Sequence, residues 1–172
     1  MGTAKRWRGR GAQRNSGRAM IDDLYSGKIL SLAANMPRAG RLAAPEGSAE
    51  KVAKLCGSRV IVDVVMAGDK VADFAQEVKA CALGQAAASV LGAHVIGASL
   101  SEIEMARDQF RAMLKAGGPP PTGRFSDLEM LEPVKDYAPR HASTLLAFEA
   151  TVEACRQAIS RGATRTSRAG VA

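Results

Sequence analysis

Residues 58–66, Ser-Arg-Val-Ile-Val-Asp-Val-Val-Met, constrain this chain more than any other stretch. Five of the nine are β-branched (Val60, Ile61, Val62, Val64, Val65), and such side chains are stiff at χ1 and favour pleated backbone. They predict a strand. Gly68-Asp69 then supplies a turn. Beyond it residues 70–78 alternate, with Val71, Asp73, Ala75 and Glu77 against Ala72, Phe74, Gln76 and Val78. The two runs and their turn read as an antiparallel hairpin.

The rest of the chain supplies what covers that hairpin. Residues 81–96 are Ala-rich and carry Leu83, Val90, Leu91 and Val95, a largely buried helix. Ser99 with Glu102 forms a capping box that opens a helix carrying Ile103, Ala106, Phe110, Met113 and Leu114. The run Gly117-Gly118-Pro119-Pro120-Pro121 ends it. Ser126 with Glu129 repeats the capping pattern and predicts a short helix to about Asp136. Pro139 suits the first turn of a last helix, whose apolar stripe holds Leu145, Phe148, Val152, Cys155 and Ile159. Ahead of the hairpin, residues 21–34 read as a helix opened by Asp22 and Asp23, and Met36-Pro37 breaks it. Residues 41–54 are small and polar, either a loop or an edge strand. One helix, then strands, then a run of helices implies an α+β domain: a small antiparallel sheet with helices packed on it.

Composition adds limits. The 172 residues amount to about one domain. They are 47% apolar but only 4% aromatic, so the core must be built from Ala, Val, Leu, Ile and Met. No apolar run approaches the ~20 residues that span a bilayer. The basic first twenty residues lack the apolar stretch of a secretory signal. Three cysteines, an odd number, argue against a disulfide-stapled fold and for a reducing compartment, which the cytoplasm provides.

The net charge of +7 belongs to the ends. Residues 1–20 hold six basic side chains and no acid, and residues 156–172 hold four and no acid. The middle is mildly acidic. Residues 1–19 are expected to be a basic disordered extension (or sequence upstream of a start at Met20), 20–160 the folded domain, and 161–172 a basic flexible tail. Basic arms for nucleic acid are the functional alternative, but only Trp7 offers a stacking ring there, so nucleic acid is not an expected partner.

Two cysteines stand where chemistry is possible. Cys56 lies in Leu55-Cys56-Gly57-Ser58, just before the first strand, and Cys81 follows the second strand and opens a helix. A helix N-terminus favours a thiolate. The hairpin returns the chain, so these two thiols can end side by side, half of a tetrahedral site for a soft metal. An isolated cysteine is equally at home as a small buried apolar group, and the spacing alone leaves both readings open. Cys155, on the stripe of the last helix, is expected in the core. His94 reads as a structural or surface residue. His141 sits in the first turn of the last helix, solvated or facing the cysteines. No nucleophile–base set, phosphate-cradling glycine loop or carboxylate pair marks an enzyme.

From Leu24 to about Ala150 the chain resembles the NifU-like iron–sulfur cluster scaffolds, the U-type family. Three pieces carry the resemblance: Leu55-Cys56-Gly57 before a β-branched strand; Cys81-Ala82-Leu83-Gly84-Gln85-Ala86-Ala87-Ala88-Ser89 after the next strand; and Arg140-His141-Ala142-Ser143-Thr144-Leu145-Leu146 opening the last helix. The resemblance implies a three-stranded antiparallel sheet with helices packed on it. It also implies a non-enzymatic carrier that takes sulfur from a cysteine desulfurase, holds iron, a transient iron–sulfur cluster or zinc, and passes cluster or sulfur to apo-proteins. Cys56 and Cys81 match two of the family's cysteines. Ser58 stands where the family has an aspartate, and Ser143 where it has a third cysteine. A serine hydroxyl is a poor soft-metal ligand and cannot carry a persulfide. His141 is then a candidate third ligand beside Cys56 and Cys81. Two protein ligands imply labile occupancy or a cluster shared across a homodimer. The alternative is a degenerate module of the same fold that docks on the desulfurase or other assembly proteins, with zinc or no metal.

Overall fold

The computed structural model describes residues 25–170. The extension expected at 1–19 lies outside the described residues. Three strands, β1 (Gly47–Ala53), β2 (Ser58–Ala67) and β3 (Lys70–Lys79), form one antiparallel sheet in the order β1-β2-β3. Among the described residues five helical elements surround it: α1 (Gly27–Ala34), α2 (Ala82–His94), α3 (Leu100–Ala116), a 3-10 segment (Gly123–Asp136) and α4 (Ala138–Ala169). The expected α+β class with a small three-stranded sheet is what the chain forms.

The hairpin stands as the sequence implies. Val60 pairs with Val78, Val62 with Gln76 and Val64 with Phe74, with an irregularity at Val65/Met66 before the Gly68-Asp69 turn. Segment 41–54, left open between loop and strand, supplies the edge strand β1, paired from Gly47↔Val64 to Ala53↔Ser58. Gly47 makes that possible: a Cβ there would fall on the Ala154 carbonyl of α4. Val60, Val62 and Val64 point into one core with Leu83, Leu91, Leu145 and Phe148. Phe148 stacks edge-on against both Phe110 (centroids 5.8 Å apart) and Phe125 (5.4 Å), so a chain poor in aromatics concentrates them at the junction of three helical elements.

The opposite sheet face holds a buried charge. Asp63 is fully buried. Its carboxylate accepts from Arg41 Nε (2.7 Å), Arg41 Nη2 (3.1 Å), Ser48 Oγ (2.7 Å) and the Leu42 N–H (3.1 Å). Burial alone would raise its pKa; those hydrogen bonds and the Arg41 charge outweigh it and hold the carboxyl below its usual range. The 36–46 segment is thereby tied across the sheet. Gly40 and Arg38 also exchange backbone hydrogen bonds with Gln76 on the outer edge of β3.

Several local expectations are corrected. Among the described residues the first helix begins at Gly27 with Ser26 as its N-cap; the expected opening at Asp22 and Asp23 lies outside the described residues. The capping box at Ser99 and Glu102 forms, and Gly117 (φ 64°) terminates α3. The one at Ser126 and Glu129 does not. The segment is a 3-10 helix with no side-chain cap at Thr122, broken by a kink at Phe125 (φ −106°), so that its longer part runs from about Ser126 to Asp136, near the expected bounds. Phe125, Leu128, Leu131 and Val134 recur every third residue, and all four are buried. Three residues per turn put them on one line, whereas 3.6 would spread them around the helix. The last helix does not stop at 160. It runs to Ala169, and residues 161–170 are exposed on every side.

Asp63→Asn keeps the shape and removes the charge, and should cost about 1–3 kcal/mol in urea unfolding at pH 7. Because the folded carboxyl titrates below the unfolded value of about 3.9, its contribution is complete above that pH and is lost as pH falls through the folded value. The variant should therefore lack that part of the wild-type acid slope.

Candidate functional site

Strand register decides where the cysteines meet. Arg59 of β2 faces Lys79 of β3. That pairing puts the start of β2 beside the end of β3. Cys56 thus sits at the β1–β2 turn and Cys81 at the N-cap of α2, both at the same end of the sheet. Gly57 adopts φ +70°, which the tight turn requires and a side chain would resist. The turn leaves Cys56 exposed, while Cys81 is half-buried.

Ser143, in the second turn of α4, completes the cluster. Its Oγ lies 3.6 Å from Cys81 Sγ and donates to the Arg140 carbonyl at 3.0 Å. It also acts on Cys56, as one of the groups that favour that thiolate. Gly84 allows this approach. A Cβ at Gly84 would lie 2.9 Å from the Ser143 carbonyl oxygen, so α2 rests directly on the α4 backbone at the site.

The activated thiol is Cys56. Its Sγ lies 3.1 Å from Ser58 Oγ. The hydroxyl of Ser58 comes first and its backbone N–H second among the causes that hold the Cys56 thiol below its usual range. Burial opposes them, and the Ser143 hydroxyl and the Arg140 charge add to them. A lowered pKa puts more of the sulfur in its nucleophilic, metal-binding form. Sequence reasoning placed the activation at the helix start of Cys81 and read Ser58 only as a lost ligand. Arg140 and Gly84 were missed as well. The one signal for Gly84 is its place three residues after Cys81, on the same helix face.

His141 is not brought to the pair, which corrects its candidacy as third ligand. Its ring is buried and its Nε2 donates to the carbonyls of Val134 (2.9 Å) and Lys135 (3.1 Å), fixing α4 to the 3-10 segment. Among the described residues no three Cys, His, Asp or Glu side chains are grouped to hold a metal ion. The donor set is two thiols with two hydroxyls, Ser58 and Ser143, beside them. His94 pairs with exposed Asp127, 3.1 Å away, as a surface residue would. Cys155 is in the core, where burial pushes its thiol up to about 12 and leaves it inert.

Residues 24–144 match the family model of the NifU-like N terminal domain. The crystal structure of a nitrogen-fixing NifU-like protein (N-terminal) from Brucella abortus is 53% identical, with a TM-score of 0.80, over 82% of this chain and 97% of that one. A putative iron–sulfur cluster assembly scaffold protein for the SUF system from Fervidobacterium islandicum shares the fold at 22% identity and a TM-score of 0.71, over 78% of this chain and 98% of that one. No curated protein matches the chain in sequence.

Ser58→Ala should shift the pH profile of Cys56 alkylation by iodoacetamide to higher pH, and by more than Ser143→Ala does. Gly84→Ala would gain about 1 kcal/mol in an ordinary helix interior. Here it should instead destabilise by about 1–3 kcal/mol in thermal or urea unfolding, because the added carbon meets the α4 backbone.

Proposed function

The chain belongs to the NifU-like N-terminal domain family, and from that premise we propose that it is a carrier in iron–sulfur cluster assembly and not an enzyme. Cys56 and Cys81 take up sulfur and iron, and pass a cluster or sulfur to apo-proteins. One observation carries this reading: an exposed thiol, Cys56, is held toward its thiolate by Ser58 beside a second thiol at the open end of a rigid sheet.

The sulfur step follows from that geometry. The Cys56 thiolate attacks the outer sulfur of a persulfide on the donor, a cysteine desulfurase. A new S–S bond forms at Cys56, the donor's S–S bond breaks, and its electron pair leaves with the donor thiolate. Ser58 and Arg140 stabilise the anion on the protein before the attack. The turn at Gly57 lets a donor loop approach the sulfur. Iron then meets two thiolates, soft ligands suited to it, with no third Cys, His, Asp or Glu grouped with them among the described residues, so occupancy is labile and transfer is easy. Cytoplasmic work suits the three free thiols. No described helix is long and apolar enough to cross a membrane.

A second reading is favoured by the two hydroxyls at Ser58 and Ser143: the fold docks on the desulfurase or its partners with zinc or no metal. Incubation with a desulfurase and cysteine separates the two. Under the carrier reading intact mass rises by whole sulfur atoms, Cys56→Ser abolishes the gain, and Cys155→Ala leaves it unchanged. A desulfurase complex on gel filtration with no gain in mass would establish the docking module instead.

A further inference from the structure

The two thiols at the sheet end carry electrons as well as ligands. A persulfide on Cys56 holds its outer sulfur at the sulfane level, and sulfide is two electrons further reduced. A second thiol in reach supplies those electrons by closing a disulfide. We propose, resting on the carrier reading, that Cys81 resolves a persulfide on Cys56: the Cys56–Cys81 disulfide forms and the outer sulfur is released as sulfide.

Position singles out Cys81 for this step. Of the three free thiols Cys155 is sealed in the core, so Cys81 is the one thiol of the same chain at the Cys56 end of the sheet. A disulfide needs Cα atoms within about 7 Å of each other, and β2 and β3, whose ends carry the pair, are hydrogen-bonded neighbours. The Ser143 hydroxyl links the two sulfurs: it lies 3.6 Å from Cys81 Sγ and also acts on Cys56. Having no thiol, Ser143 cannot compete for the persulfide. Exposure divides the labour. Cys56 is exposed, so a donor reaches it first, while half-buried Cys81 is shielded from the donor and stays a free thiol.

The step balances within the chain. Cys81, its proton given to solvent, attacks Cys56 Sγ as a thiolate. An S–S bond forms between the two cysteines, the bond from Cys56 Sγ to the outer sulfur breaks, and its electron pair leaves with that sulfur as HS⁻. Two thiols are oxidised to a disulfide and one sulfane sulfur is reduced to sulfide, so no outside reductant enters. An external dithiol, itself oxidised to a disulfide, then restores both cysteines. Sulfide release and the holding of iron therefore alternate at the same pair.

The full-length chain is loaded by a desulfurase and cysteine, separated from both, and left anaerobically without added thiol. Intact mass under non-reducing conditions and captured hydrogen sulfide are followed over time. The expected result is a gain of one sulfur that gives way to a species two hydrogens lighter than the reduced chain, with one sulfide released per chain and a Cys56–Cys81 bridge in the peptide map. Dithiothreitol should restore the starting mass. Cys81→Ser should keep the added sulfur on Cys56 and release sulfide about tenfold more slowly or less, whereas Cys155→Ala should behave as wild type. A persulfide that persists on the wild-type chain, a disulfide joining two chains, or Cys81→Ser releasing sulfide at the wild-type rate would overturn the resolving step and leave the carrier reading standing. If neither the wild-type chain nor Cys81→Ser gains sulfur or releases sulfide, the carrier reading falls and this proposal with it.

Discussion

The antiparallel register of β2 with β3 is the constraint on which the rest depends. It is set by burial: Val60, Val62 and Val64 must all face the core, and a slip of one residue would send them to the face that holds Asp63. Once that register is fixed, the start of β2 and the end of β3 lie side by side. Cys56 and Cys81 flank those ends, so their meeting is a by-product of core packing. Nothing at the site itself has to hold the strands together.

Ser143 arrives by a different route. It is brought by α4, which packs across β1 and β2 along almost its whole buried length and meets α2 at Gly84. The missing side chain at Gly84 sets how closely the helices approach. His141, two residues earlier in α4, pins that helix end to the 3-10 segment through two carbonyls. The Asp63 network holds the segment after α1 against the other sheet face. A rigid frame of this kind leaves the exposed sulfur of Cys56 in one place while the rim around it stays open.

The two serines beside the thiols shape what the site can do. A carboxylate beside Cys56 would raise the thiol's pKa by its charge and offer a hard ligand. The Ser58 hydroxyl donates a hydrogen bond and pulls the pKa down. The site is thereby poorer in ligands and richer in thiolate.

The sequence was legible where short-range physics decides. The β-branched run, the Gly68-Asp69 turn, the Ser99–Glu102 box and the glycine and proline stop after α3 act through neighbouring residues, and each stands where the chain's own pattern puts it. So did the placing of Cys155 in the core, by its stripe. One local pattern misled: Ser126 and Glu129 match a capping box, yet the segment is a 3-10 helix kinked at Phe125, with Phe125, Leu128, Leu131 and Val134 buried. By itself the sequence determined the class of fold, its strands and most of its helices, and the two cysteines at their ends. Only the tertiary structure decided that Ser58 and Ser143 gather at those sulfurs, that His141 turns away, and that 41–54 joins the sheet. These depend on contacts between residues tens of positions apart, whose geometry is set by how helices and sheet pack and not by any local pattern.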